Sequence, residues 1–592
     1  MKVFQIRTLI FIFMAIDISI THASIEREVA WILTLSDAEK RMINTPEPYA
    51  YDDYIVFGLI ASGVPESQIA KYKQVVDGLI LALTKSVKIE SVSTDAAERA
   101  EFILRWLHQN LFRRYDAHQT KIDEVLKHRN FNCVSSGVLY SAICRKFGIH
   151  VTGVIVPDHA FCQLKLPNQK IDIETTIRYG FDPSSKKKLF DEFGKLTGLV
   201  YVSPRNYRQR SEIGDKEMIA LIYSNRYKAL SDQDRHAEAT KVLHVGWRLA
   251  GDLPRALNTW ESGVGNYIIS LDRSKRFADA LYVIDEVNRK FPDLKQSSKL
   301  WPNVYINWSY HALQAKRYDE AVLVLKQGLA HFPQNYKLLQ NLKAAYLEKA
   351  QLLGRTGHFT EAHETIETGI QAFPREEKFR HIEANLYIQE ADELLIDQAE
   401  TVYQKAIQKY PKDKTLLESF EFLYLNLAQK FGSQGKYVEA VQILERGETV
   451  FSASTRIRKV KTATHNNWGI DLAKKKHFAE AKQVIERGLA ISATDATLKN
   501  NWDFVMLEWA KSEFNSGHFN PASTILQEGL KQAKSDQKPF RQRIEAYYND
   551  SAIKLLKHRE IQKGINRLEA GLKLVPNSKV MRDNLKRARE NR

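Results

Sequence analysis

FNCVSSGVLYSAICRKFGIHVTGVIVPDHAFCQLKLPNQKIDIETT, residues 131–176, decides how the N-terminal part of the chain is read. Cys133 stands directly before a segment in which Val134, Val138, Leu139, Ala142 and Ile143 recur at helical spacing. That spacing predicts a helix from Cys133 to about Phe147, stopped at Gly148. Asn132 is a good N-cap residue. Cys133 then falls in the first helical turn, where free N–H groups and the helix dipole favour a thiolate. Gly153 to Val156 reads as a strand and Pro157-Asp158 as a break. Ala160 to Leu166 and Lys170 to Thr176 read as a hairpin about Pro167-Asn168.

The same stretch carries a thiol at Cys133, an imidazole at His159 and carboxylates at Asp172 and Glu174. Thiol-based acyl transfer needs a nucleophile, a base to deprotonate it and a group to orient the base. Side chains alternate along a strand, so Asp172 and Glu174 share a face. With a two-residue loop at Pro167-Asn168, His159 faces Thr176 and has Glu174 as a diagonal neighbour. Glu174 is therefore favoured as the orienting carboxylate, with Asp172 as second choice. A metal site from Cys133, His159 and Cys162 lacks paired CxxC or HxxxH spacing, and no cofactor is expected. Cys144 follows Cys133 by three helical turns, roughly 16 Å, too far for a disulfide. Cys162 points to the strand face opposite His159. One functional thiol and two packed ones is the simplest reading, with a Cys144–Cys162 bridge left open.

FNCVSS, VPDHAF and IDIETT resemble the transglutaminase-like superfamily, in which a Cys opens a helix, a His opens a strand and an acid precedes an x-Thr on the next strand. The matching positions are Cys133, His159 and Glu174-Thr175-Thr176. The resemblance implies a papain-like α+β core with a Cys–His–acid triad, and it extends through YGFDP, LTGLVYVSPRNYR and ALIYSNR to about Arg226. It is closest to exported bacterial proteins that couple such a domain to helical repeats. Two positions depart from the family pattern. Phe131-Asn132-Cys133 replaces the Gly-x-Cys common in crosslinking enzymes, and a Glu replaces the usual Asp. Amide hydrolysis is thus at least as well supported as protein crosslinking.

Upstream, Lys2 and Arg7 precede an apolar run from Leu9 to Ile16, and Thr21-His22-Ala23 offers small residues for cleavage. This is the pattern of a secretory signal over residues 1–23, too short to span a bilayer, and it predicts a periplasmic or secreted protein with no membrane span. Three cysteines are too few for a disulfide framework. Residues 24 to 130 read as mainly helical. Pro65 opens a helix with an Ile69, Val75, Val76, Leu79 stripe. Asp95-Ala-Ala-Glu98 reads as a capping box before Phe102, Ile103, Trp106 and Leu107. Lys186-Lys187-Lys188 reads as a solvated loop. The transglutaminase-like domain is assigned to 24–228.

From 229 to 592 the chain is periodic. An aromatic or large apolar residue is followed three positions on by Ala239, Ala280, Ala321, Ala362, Ala399, Ala440, Ala481, Ala522 and, in the ninth unit, Gly564. Gly246, Gly328, Gly369, Gly447, Gly488, Gly529 and Gly571 recur seven residues later, and Pro often ends the unit. Steps are about 41 residues, with one shorter step between Ala362 and Ala399. The pattern resembles the tetratricopeptide repeat, whose usual unit is about 34 residues. Longer helices or longer linkers both account for the difference. Eight or nine units stack into an all-α solenoid, each buried only by its neighbours. Trp308, Trp468 and Trp502 are expected to pack between helices.

Most of the formal net charge of +16 lies beyond the first domain. A basic solenoid fits a protein or peptide partner of acidic character, with nucleic acid disfavoured for an exported chain. Two functions remain in view: a cysteine hydrolase or acyltransferase acting on amides of a protein or peptide, and a non-catalytic interaction scaffold or envelope assembly factor with an inactive papain-like domain.

Overall fold

The computed structural model describes residues 23–86, 95–157, 159–183, 209–251 and 254–590. The signal-like segment up to residue 22, Asp158, LTGLVYVSPRNYR and Lys186–Lys188 lie outside the described residues. The chain divides into two compact units, 1–345 and 346–592.

The first unit begins with a helical stretch, 23–33, whose Ile25, Val29 and Ile32 pack against Leu243 and Trp260. A helical layer follows: α1 (Asp37–Asn44), α2 (Tyr51–Ala61), α3 (Glu66–Ser86) and α4 (Ala96–Asn110). In α3 the buried stripe is Tyr72, Val76, Ile80 and Leu83, while Val75 is exposed. The expected stripe is corrected here, because Tyr72 sets a face on the 72/76/80/83 line that leaves Val75 on its flank. Asp95 caps α4 through the Ala97 N–H, and Ile103, Trp106 and Leu107 are buried as expected.

Next come β1 (Arg114–Tyr115), α5 (Ile122–His128) and β2 (Asn130–Phe131), with β1 and β2 paired in parallel. Helix α6 (Cys133–Lys146) then packs on a four-stranded sheet of order β5-β4-β3-β6, antiparallel throughout. Its strands are β3 (Val151–Val156), β4 (His159–Leu166), β5 (Gln169–Ile173) and β6 (Ser211–Ile213). Leu166 pairs with Gln169, so Pro167-Asn168 is the two-residue loop expected. The ladder ends at Cys162 opposite Ile173, short of the expected Thr176. Strand β5 stops there because the chain folds back, with the Glu174 N–H donating to the Gly180 carbonyl (2.7 Å) and Ile173 bridging Phe181.

Helix α7 (Asp215–Ser231) serves two layers: its Ile219 and Ile222 share one core with Leu139 and Ile143 of α6 and with Val242 and Val245 of the next helix. It runs through residue 228, where the sequence suggested a boundary, and supplies the first helix of the first repeat. The later repeats pair a first helix of 20 residues with a second of 14. Longer first helices therefore account for the long period. The single short step coincides with the 16-residue helix Glu377–Asp392. His236, Phe277, Tyr318, Phe359, Ile396, Tyr437, Phe478, Phe519 and Ile561 each begin a second helix, and the small residue three positions on, Ala in the first eight and Gly564 in the ninth, is buried.

In the second unit, 346–592, the small positions carry the packing. A Cβ at Gly529 would stand 2.1 Å from Phe540 Cε1, and one at Gly369 2.3 Å from Phe379 Cε1. Trp502 is fully buried and donates to Glu486, and Trp468 stacks on Tyr437. Trp308, in the first unit, stacks on Phe277 in the same manner. Among the described residues, no helix is long and apolar enough to cross a membrane.

Candidate active site

Cys133 is the first residue of α6 and is partly accessible. Its cap is complete. Asn132 Oδ1 accepts the N–H groups of Val134 (3.0 Å) and Ser135 (2.9 Å), and Ser135 Oγ accepts the Asn132 N–H. The Ser136 N–H goes to the Asn132 carbonyl. Among the described residues, that leaves the Cys133 N–H as the first-turn donor without an acceptor in the chain, beside its own thiol.

His159 opens β4 opposite Val156. Its Nε2–H donates to Glu174 Oε2 at 2.6 Å, which leaves Nδ1 for the Cys133 thiol, close enough to act on the charge of the ring. Glu174 is fully buried. A buried carboxylate is tolerated only when its lone pairs are satisfied. Here Oε1 accepts both the Thr176 N–H (3.0 Å) and Thr176 Oγ1–H (2.6 Å), while Oε2 takes the imidazole. Burial disfavours a charged imidazole, but the Glu174 carboxylate and the neighbouring Cys133 thiol outweigh it, raising the His159 pKa to about 10.

Asp172 lies elsewhere. It faces Gln163 across the ladder, accepts from Gln163 Nε2 (2.7 Å) and binds Arg210 through both oxygens (2.8 and 2.9 Å). It locks β5 to the residue preceding β6 and makes no hydrogen bond to His159 among those described. Cys162, fully buried, turns towards α6, with its Sγ near Ser141 Oγ and the Gly137 carbonyl. Cys144 is also fully buried, and all three cysteines are free, so the Cys144–Cys162 bridge is not formed.

Three supporting residues were not singled out from sequence. His108 of α4 bonds the Thr175 carbonyl through Nε2 (3.0 Å), while Ser136 Oγ meets Thr175 Oγ1 at 2.8 Å. Burial, only partly offset by the Thr175 hydrogen bond, lowers the His108 pKa to about 4, so at neutral pH it is an uncharged donor. Gly180 closes the turn: a Cβ there would fall 2.0 Å from the Glu174 carbonyl oxygen. His108 stands 67 positions from Thr175, and no periodicity links them. The one local signal that could have marked this bend is Gly180 itself, since glycine punctuates regular structure.

Comparison with known proteins agrees with this architecture. Residues 70–187 match the family model of the transglutaminase-like superfamily, and residues 312–386 that of the tetratricopeptide repeat. The chain thus carries a transglutaminase-like domain followed by tetratricopeptide repeats. Among solved structures it is similar to a tetratricopeptide repeat protein from Parabacteroides merdae, with 15% identity over 49% of this chain and 98% of that one and a TM-score of 0.16. A thermophilic repeat protein of Thermus thermophilus is similar at 14% identity over 41% and 96% of the two chains, with a TM-score of 0.13. A comparison with curated proteins finds no match.

Proposed function

We propose that the transglutaminase-like domain is a cysteine hydrolase or acyltransferase acting on amide bonds of a protein or peptide, and that the repeats hold the partner. The observation that carries the reading is His159 set between the Glu174 carboxylate and the Cys133 thiol. A thiol–imidazole pair with a charged imidazole is a thiolate nucleophile and a general acid in one unit. Cys133 Sγ attacks the amide carbonyl, and the Cys133 N–H is placed to receive the developing oxyanion. His159 gives its Nδ1 proton to the departing amine, leaving a thioester on Cys133. His159, now neutral, takes a proton from water or from an incoming amine as that group attacks the thioester. Collapse releases acid or new amide and restores the thiolate–imidazolium pair. Glu174, itself held by Thr176, keeps the ring oriented throughout.

The test is acylation of full-length protein with p-nitrophenyl acetate, followed by mass spectrometry. An acetyl group on Cys133, absent in Cys133→Ala and turned over in the wild type, is the expected result. No adduct on Cys133 would leave the domain as a scaffold.

The basic–apolar–small order of residues 1–23 supports export with cleavage after Ala23, so the mature protein should begin at Ser24. The basic repeats suit an acidic partner.

A further inference from the structure

A cavity of about 580 Å³ lies where three parts of the first unit meet: the segment 30–39, helix α7 and the following helix, His236–Ala250. Leu35, Leu230, Val242 and Val245 form its apolar wall, and Trp31, 48% exposed, stands at its rim. Small-molecule sites have volumes of roughly 300–1,000 Å³ and combine such a wall with a few convergent polar groups. None of Cys133, His159 or Glu174 lines this cavity.

Most of its charged groups are already engaged. Lys241, buried, donates to the Thr34 carbonyl and to Glu39 Oε2 (3.2 Å), which also accepts the Ser36 N–H (2.7 Å). Glu238 pairs with Arg235. Arg226 and Tyr223, one turn apart on α7, are different. The Arg226 guanidinium carbon lies 5.9 Å from the centre of the Tyr223 ring. Among the described residues Arg226 has no carboxylate in contact, whereas Arg145 pairs with Asp215 and Arg210 with Asp172. Its Nη1 donates to the Ala61 carbonyl (2.6 Å). That leaves Nε and Nη2, the edge that grips a carboxylate through two parallel bonds. Gly63 makes room for the group: a Cβ there would stand 2.6 Å from Nη2. Tyr223 is 2% exposed, and its hydroxyl has no hydrogen-bond partner among the described residues. The phenol feels the charges of Glu39 and Arg226, both of which line the cavity, so its oxygen is on the cavity side. A buried hydroxyl in this state is destabilising until a partner reaches it.

We propose that this cavity binds a monocarboxylate with an apolar body. The carboxylate sits on the free edge of Arg226 and accepts the Tyr223 hydroxyl, and the body lies against Leu35, Val242 and Val245 beneath Trp31. One carboxylate is expected because one guanidinium is unengaged, and Glu39 and Glu238 on the same wall disfavour a second negative charge. Arg226 ends the transglutaminase-like layer and Val242 belongs to the first repeat, so the occupant ties the two together. The site stands independently of any chemistry at Cys133.

Isothermal titration calorimetry on the full-length protein at neutral pH tests the proposal. Octanoate supplies the chemistry as a free acid and N-acetyl-leucylleucine as the carboxyl end of a peptide, and each is compared with its own amide. At least one acid should bind about 10-fold more tightly than its amide, the scale of hydrogen bonds to a charged group. The tighter acid identifies the source. Arg226→Gln should abolish the preference for acid over amide. Tyr223→Phe should weaken acid binding several-fold, while its ligand-free melting temperature should not fall, because the hydroxyl it removes has no partner in the chain. If Arg226→Gln fails to fold, the acid–amide comparison in wild type and Tyr223→Phe still decides. No binding of either acid at millimolar concentration, equal affinity for acid and amide, or acid binding by Tyr223→Phe as tight as wild type overturns the proposal.

Discussion

At the scale of single residues, the two carboxylates of the IDIETT stretch have different work. Glu174 is enclosed, holding His159 on one oxygen and Thr176 on the other. Asp172 is an anchor for Arg210 and Gln163. Asp172→Asn should cost about 2 kcal/mol in denaturant unfolding, the scale of a hydrogen bond to a charged group, yet leave Cys133 alkylation as it is. The histidines separate by pH. Folded His108 refuses a proton down to about pH 4, whereas in the unfolded chain it takes one near 6.5. Its contribution is lost as pH falls from about 6.5 to about 4. His159 has the opposite sign: its contribution is complete below about 6.5 and disappears as pH rises towards about 10. Stability curves of His108→Gln should be flatter than wild type on the acid side, and those of His159→Gln flatter on the alkaline side. Curves that changed in the reverse sense would refute both assignments. The types and order of Cys133, His159 and Glu174 were legible in sequence because each stands at the edge of a strongly patterned element. The residues that brace them were not. His108 reaches Thr175 from another layer, and Arg210 reaches Asp172 across 38 positions, distances at which local pattern carries no information.

At the scale of elements, the helix of Cys133 and the hairpin were readable from caps, period and the Pro167-Asn168 turn. The pairs β1–β2 and β3–β6 were not, since strands of two and three residues have no alternation to read. The end of β5 was misplaced because the bend at Gly180 lies beyond it. In the solenoid, the small residues were legible from repetition alone, and the structure supplies their reason. Gly529→Ala would force its Cβ to 2.1 Å from Phe540, and overpacking of this kind costs about 1–3 kcal/mol. Gly78 lies within α3 with open space where a Cβ would go. Gly78→Ala should therefore raise stability by about 0.5–1 kcal/mol, the helix preference for alanine. Thermal melts of the two variants should move in opposite directions, and a shared direction would contradict the packing described.

At the scale of the whole molecule, one chain joins a thiol site to an array of helix pairs, and α7 belongs to both layers. Everything proposed for the thiol site depends on activation of Cys133 by His159 and Glu174. The most direct measurement is the rate of Cys133 alkylation by iodoacetamide between pH 5 and 10, in the full-length wild type, His159→Ala, Glu174→Gln and Asp172→Asn. A free thiol ionises near pH 8.5 and alkylates slowly at pH 6. Rapid labelling at pH 6 is expected in the wild type and Asp172→Asn, a free-thiol profile in His159→Ala, and slowed labelling in Glu174→Gln. Wild-type labelling at pH 6 no faster than that of an exposed model thiol, or a His159→Ala profile identical to wild type, would contradict this activation.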